Sequence, residues 1–308
     1  MYDKVKLWTA RTRATPDVSK FLDKAKDQID HDTGEVCTFG SLESLKVSVY
    51  TGGISIVGSL AKYLYPNNIY PLDRHTTAQA IEKLSDSLHL PVNDAKVTGV
   101  EFGTQFIMAH SVESYLSRLG DMPKLLRYHF EVGTLYYKHR GKQQPKVFAF
   151  YDKKADAAVK GMALPVGFDE ANLLKYEMRV NGRLPQQLGV PEVTASTLSE
   201  KQFYRLMVQR YQESYFAISK NVQIKTDVMD EIKTVSDAFD VFVARLISQS
   251  DQSQIAAFLE ELKEAKVFED RKCYSRLKKK IQEVSTKAGV TVSDELIKEL
   301  DNEIRNVG

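Results

Sequence analysis

Cysteine is scarce in this chain: 308 residues hold two, Cys37 and Cys273. They stand far apart, with no CxxC and no Cys/His cluster, so spacing offers no structural zinc site and a reduced setting fits. No uninterrupted apolar run is long enough to span a bilayer. The opening MYDKVKLW has no apolar h-region. We therefore expect a cytoplasmic protein with no membrane partner. Neither sign of charge is in excess. The 43 Lys and Arg against 41 Asp and Glu leave +2, so any nucleic-acid site must come from local patterning. The common signatures GxxxxGK[ST], GxGxxG after a strand, GxSxG and HExxH are missing. The six histidines are scattered, with no His-x-His pair. Past residue 199 the only glycines are Gly289 and Gly308, and there is no proline.

What is present divides near residue 190. Before it, strand-like and helical runs alternate. Residues 3–8 read as a strand. Residues 15–34 read as a helix, with Thr15 as cap, Gly34 as stop and Val18, Phe21, Leu22, Ala25 and Ile29 as its stripe. Residues 45–60 alternate around Thr51–Gly52–Gly53 and predict a hairpin. Residues 76–90 predict a helix, 96–108 a strand with Gly103 inside it, and 111–120 a short helix. A second hairpin spans 133–153, with a basic loop at its tip, and a strand spans 172–184. After the linker 191–199 only helical stripes follow: Phe203 to Tyr215, then Val228, Ile232, Val235, Phe239, Phe242, Val243 and Leu246, then 251–266, 270–287 and 293–306. No repeat of solenoid period is found. The predicted fold is α+β. A mostly antiparallel sheet with helices on one face fills 1–190, and an all-helical C-terminal domain fills 191–308.

Carboxylates on strands are the main chemical signal. Period two puts Glu101 on one face with Gly99, Gly103 and Gln105, and glycines there would leave room for a ligand. Glu177 shares a face with Lys175 and Arg179. Each acid could instead form a surface cross-strand ion pair. If both face one cleft, they could hold Mg²⁺ or Mn²⁺. Tyr151 ends the strand KVFAFYDK, on the side of Val147 and Ala149, with Lys153 beyond it. A free phenol is a weak nucleophile, and a lysine and a divalent cation nearby would favour its phenolate. The loop KHRGKQQPK offers Lys138, Arg140, Lys142 and Lys146, with His139, to a phosphate backbone, or is a solvated turn. RLKKK (276–280) is a solvated helix face or a further DNA contact.

Four segments, in order, resemble the gene II/X family of phage and plasmid replication proteins. They are SVYTGGISIVGSLAKYLYPNNIY, KVTGVEFGTQF, GTLYYKHRGKQQPKVFAFYDKKAD and LLKYEMRVNGRL, within residues 45–190. The resemblance implies a rolling-circle initiator that nicks one origin strand through a tyrosine linked to the 5′ end and later rejoins it. It implies Tyr151 as nucleophile with Lys153 beside it, Glu101 as the strand acid, and Glu177 with Arg179 as the later Glu-x-Arg. It also implies a divalent metal, origin DNA as partner, and a host helicase and polymerase. The helical domain would serve origin binding or self-association. The chain departs from the family pattern at Glu101, where the family has Asp, and at Gly99, where it has Arg. Paired histidine ligands, used by many related nickases, are missing. His129 is a candidate lone ligand, and Tyr136 and Tyr137 are rival nucleophiles. The competing reading is a non-catalytic, sequence-specific DNA-binding replication regulator.

Overall fold

Alternating apolar and polar residues dominate the first two-thirds of the chain, and they build a ten-stranded antiparallel sheet. The computed structural model describes residues 1–65, 67–130, 133–168, 170–220, 223–224, 232–249, 252–285, 291–292 and 294–308. Two compact units result. One comprises Met1–Leu116, Met122–Ala217 and Ile304–Gly308, and the other Ser117–Asp121 and Ile218–Glu303.

The strands are β1 (Tyr2–Ala10), β2 (Asp23–Ile29), β3 (Val36–Leu42), β4 (Leu45–Val49), β5 (Gly53–Ser59), β6 (Lys96–Met108), β7 (Leu126–Phe130), β8 (Thr134–Lys138), β9 (Lys146–Asp152) and β10 (Asn172–Asn181). Their order is β2-β3-β4-β5-β1-β6-β10-β9-β8-β7. The same plan therefore occurs twice. In each half a first strand is followed by a four-strand meander whose last member pairs back onto it. The two first strands, β1 and β6, meet antiparallel at the centre, with Val5 opposite Val100. The helices of this unit are α1 (Leu60–Leu64), α2 (Arg74–Leu88), α3 (Val112–Leu116), α4 (Lys153–Val159), α5 (Leu184–Leu188) and α6 (Lys201–Phe216). Asp73 and Thr76 close a capping box that starts α2.

One sheet face is apolar. Tyr2, Phe102, Phe148, Phe150, Tyr176 and Met178 are buried on it. Helix α6 packs there: the Tyr211 ring lies 4.2 Å from that of Tyr176, and each hydroxyl donates to the other residue's carbonyl at 3.2 Å. This contact corrects the expected boundary between 190 and 191. Helix α6 belongs with the sheet, because its tyrosines cover residues that would otherwise face water.

The predicted helix over 15–34 is also corrected. A 3-10 turn at Val18–Phe21 leads into the β2–β3 hairpin. The Asp30 carboxylate accepts from the backbone of Asp32 and Thr33, and Gly34 takes φ +71°. β2 is exposed throughout as an edge strand, so its helix-like spacing never met a core. β7 was not foreseen as a strand. The predicted strand 172–184 ends at Asn181. The predicted helix 111–120 contracts to α3.

The second unit carries α7 (Val235–Gln249), α8 (Gln252–Glu264), α9 (Arg271–Ser285) and most of α10 (Glu295–Arg305). It is not all-helical, since a two-stranded pair joins β11 (Gln223–Ile224) to β12 (Thr291–Val292). Val241 and Ala244 form its small core, with Ile232 and Val284 against them. The expected stripe Val235, Phe239, Phe242 and Leu246 is exposed instead. Val228 lies outside the described residues.

Candidate active site

The opposite sheet face carries the polar side chains. Pairing registers show how they meet, because directly opposed residues share a face. One row runs Thr134, Tyr151, Lys175, Gln105. The next runs Tyr136, Ala149, Glu177, Gly103, and the third runs Lys138, Val147, Arg179, Glu101. Tyr151, Glu177, Arg179 and Glu101 thus converge on one cleft, which Asp3 and Lys153 also line.

The Tyr151 hydroxyl donates to Glu177 Oε1 at 2.7 Å. Arg179 holds the other oxygen, with Nη2 at 2.7 Å and Nε at 3.1 Å. Its Nε also lies 3.8 Å from Glu101 Oε1, so one guanidinium bridges the two acids. Tyr151 is 9% exposed and Glu177 3%. Burial disfavours ionised Glu177, yet Lys175 and Arg179 outweigh it and hold the carboxyl below its usual range. Glu101 shifts the other way: burial raises it, and Glu177 adds to the rise.

Tyr151 differs from expectation in its protonation. Burial, followed by the Glu177 charge, pushes the phenol well above 10. Lys153 does not offset this. Its ammonium points to Asn68 Oδ1 at 3.2 Å and to Asp156 at 3.6 Å, and burial lowers its own pKa. The resting Tyr151 is a neutral hydrogen-bond donor, not a phenolate.

The glycines serve a different end from the one foreseen. A Cβ on Gly103 would sit 2.2 Å from the Tyr176 carbonyl oxygen, and one on Gly99 would meet the Lys6 side chain at 2.8 Å. They admit neighbouring protein atoms rather than a ligand.

The basic loop is not part of the cleft. Arg140 and Lys142 are exposed at the far end of the β8–β9 hairpin, and strand rise puts that end about 16 Å from Tyr151. Lys146 pairs with Val180 and so turns to the apolar face, where burial and then Arg210 lower its pKa. Lys138 shares the polar face, with its ammonium 4.6 Å from the centre of the Tyr128 ring. His129 bonds Glu113 Oε1 at 3.0 Å and pairs with Leu135, on the apolar side. Tyr137 is buried on that side too, which leaves Tyr136 as the rival that shares a face with Tyr151.

Asp3 went unrecognised. It is 6% exposed and accepts from Asn68 Nδ2 at 2.8 Å and from the Ser59 hydroxyl. An acid inside the predicted strand 3–8 was the available signal. Asp3, Glu101 and Glu177 offer the hard oxygen donors that Mg²⁺ or Mn²⁺ prefers. Among the described residues, no three His, Cys, Asp or Glu are gathered closely enough to hold an ion as they stand. Arg179 sits between Glu101 and Glu177 instead.

No family model matches the chain, and no curated protein matches it. A solved structure with detectable likeness is the di-domain ARO/CYC protein BexL from the BE-7585A biosynthetic pathway. It is 9% identical, and the match covers 63% of this chain and 77% of that one at a TM-score of 0.24. Likeness at that level carries no argument about fold or function.

Proposed function

We propose that the protein is a rolling-circle replication initiator of the gene II/X type, a site-specific endonuclease and strand transferase acting on origin DNA. The observation that carries this reading is the Tyr151–Glu177 hydrogen bond in a cleft that also presents Arg179, Lys153 and Glu101. A phenol held on a carboxylate has its proton acceptor in place. As the Tyr151 oxygen bonds to phosphorus, its proton passes to Glu177, the bond to the 3′ oxygen breaks, and the 5′ phosphate stays on tyrosine. Reversal rejoins the strand. Arg179 and Lys153 would offset the charge that builds on the phosphate. When Arg179 turns toward that phosphate, Glu177 loses a cation that now depresses its basicity. With Arg179 turned away from the space between them, Glu101 and Glu177 would be the residues to hold a divalent cation, which would supply Lewis-acid polarisation of the phosphate.

In this reading the helices gather on the apolar face and leave the polar face to DNA. Host helicase and polymerase act next, the helical unit assists origin binding or self-association, and the setting is the cytoplasm. Among the described residues no helix is long and apolar enough to cross a membrane. The test is a denaturing gel for covalent protein–DNA adducts, using single-stranded or supercoiled origin DNA with Mn²⁺. The adduct is expected to vanish in Tyr151→Phe and to weaken in Glu101→Gln. An undiminished adduct in Tyr151→Phe would move the nucleophile to Tyr136. Origin binding without any adduct would favour the non-catalytic regulator.

A further inference from the structure

The two halves of the sheet share a strand order, so each position of the cleft has a counterpart across the β1–β6 pair. Counting outward from Val5 opposite Val100, the counterpart of Tyr151 is Tyr50, immediately after β4. The counterpart of Tyr136 is Phe39, and that of Gly103 is Trp8. The polar face of the first half therefore carries three aromatic rings where the second half carries Tyr151, Tyr136 and Gly103, and Ser55 and Lys6 stand where the second half has Glu177 and Glu101. We infer that Trp8, Phe39 and Tyr50 form a stacking platform for the unpaired bases of single-stranded DNA, on the same sheet face as the Tyr151 cleft.

Three observations support the assignment. First, the rings form one cluster. Tyr50 lies 5.9 Å from Trp8 and 6.1 Å from Phe39, centre to centre, and all three are part-exposed. Trp8 is fixed from below, because a Cβ on Gly53 would fall 2.3 Å from the indole. Second, the cluster is edged by cations. Lys26 pairs directly with Phe39, Lys46 lies two residues before Ser48 on the same face, and the Arg11 amide donates to the Gly52 carbonyl beside Tyr50 at 3.2 Å. Lys26, Lys46 and Arg11 are exposed. Part-exposed aromatic rings edged by lysine and arginine suit a base stack on an anionic backbone. Third, the platform and the cleft are parts of one continuous surface. Five strand spacings, about 24 Å, separate β4 from β9. The choice of DNA rests on the nuclease reading of the cleft.

Trp8 is the chain's single tryptophan, so it reports on its own site. Titrating the whole protein with oligothymidylate should quench its emission. An abasic oligonucleotide of equal length should not, and a blunt duplex should do so far less. The Phe39→Leu and Tyr50→Leu variants keep apolar bulk. Each should weaken oligothymidylate binding about tenfold by anisotropy, with an unchanged salt slope. The adduct assay, run in parallel on single-stranded origin DNA with Mn²⁺, separates the two proposals. Adduct without quenching, with both leucine variants binding as the parent does, overturns the platform and leaves the nuclease. Quenching and weakened variants without adduct support the platform and count against the nuclease. Equal quenching by the abasic strand overturns base stacking even where DNA binds. If a leucine variant fails to fold, quenching in the parent decides.

Discussion

Glu177 is the residue on which the cleft depends. It takes the Tyr151 hydroxyl on one oxygen and Arg179 on the other while almost fully buried. Glu177→Gln would leave buried Lys175 without its neighbouring carboxylate and part-buried Arg179 with Glu101 alone, and we expect a loss of about 3 kcal/mol in urea unfolding. Tyr151→Phe removes one hydrogen bond and should cost only about 1 kcal/mol. Loss of adduct in that variant would then reflect chemistry and not unfolding. The two acids should also respond oppositely to pH. Glu177 is depressed in the fold, so its stabilisation is present above pH 4.5 and is lost as pH falls through its folded value. Glu101 is raised, so its contribution is full below pH 4.5 and is lost as pH rises through its folded value. Glu101→Gln should therefore be more stable than the parent at pH 7, with the gain shrinking at pH 4. Equal stability at both values would show that the carboxyl is not strained by burial.

At the scale of elements, the β6–β10 pair holds the site together through one glycine. Gly103→Ala would drive a methyl into the Tyr176 carbonyl and the Glu177 Cα. We expect at least 1–3 kcal/mol of destabilisation, roughly that of overpacking, together with weakened adduct formation, because Glu177 is displaced. β6, β9 and β10 were legible because alternation over a buried sheet repeats reliably. It put Glu101, Glu177 and Tyr151 on strands and gave the faces of each. β2 was not legible. Its apolar residues, such as Ile29 at 54% exposure, answer to no core, and their helical spacing is incidental. Lys146 was assigned to DNA on charge alone, although alternation already turned it to the other face. Asp3, Phe39 and Tyr50 could not be grouped from the chain, because only pairing registers bring such distant segments together.

For the whole molecule, α6 is the cover that keeps the apolar face of the first unit's sheet from water. A chain stopped at residue 190 would expose Tyr176, Phe150 and Phe102 on the sheet. We expect it to aggregate, whereas one stopped at 217 keeps its cover and should remain soluble with strand-rich circular dichroism. Equal behaviour of the two would show that the tyrosines of α6 are dispensable. The doubled strand order has a kinetic consequence as well. Within each meander, neighbours in space are neighbours in sequence, so little loop entropy opposes their zipping. The seam between Val5 and Val100 joins segments almost a hundred residues apart and should close last, with φ-values near zero for truncations at both valines. Until it closes, two half-sheets with open inner edges coexist, and the nascent chain is then most exposed to pairing with a copy of itself.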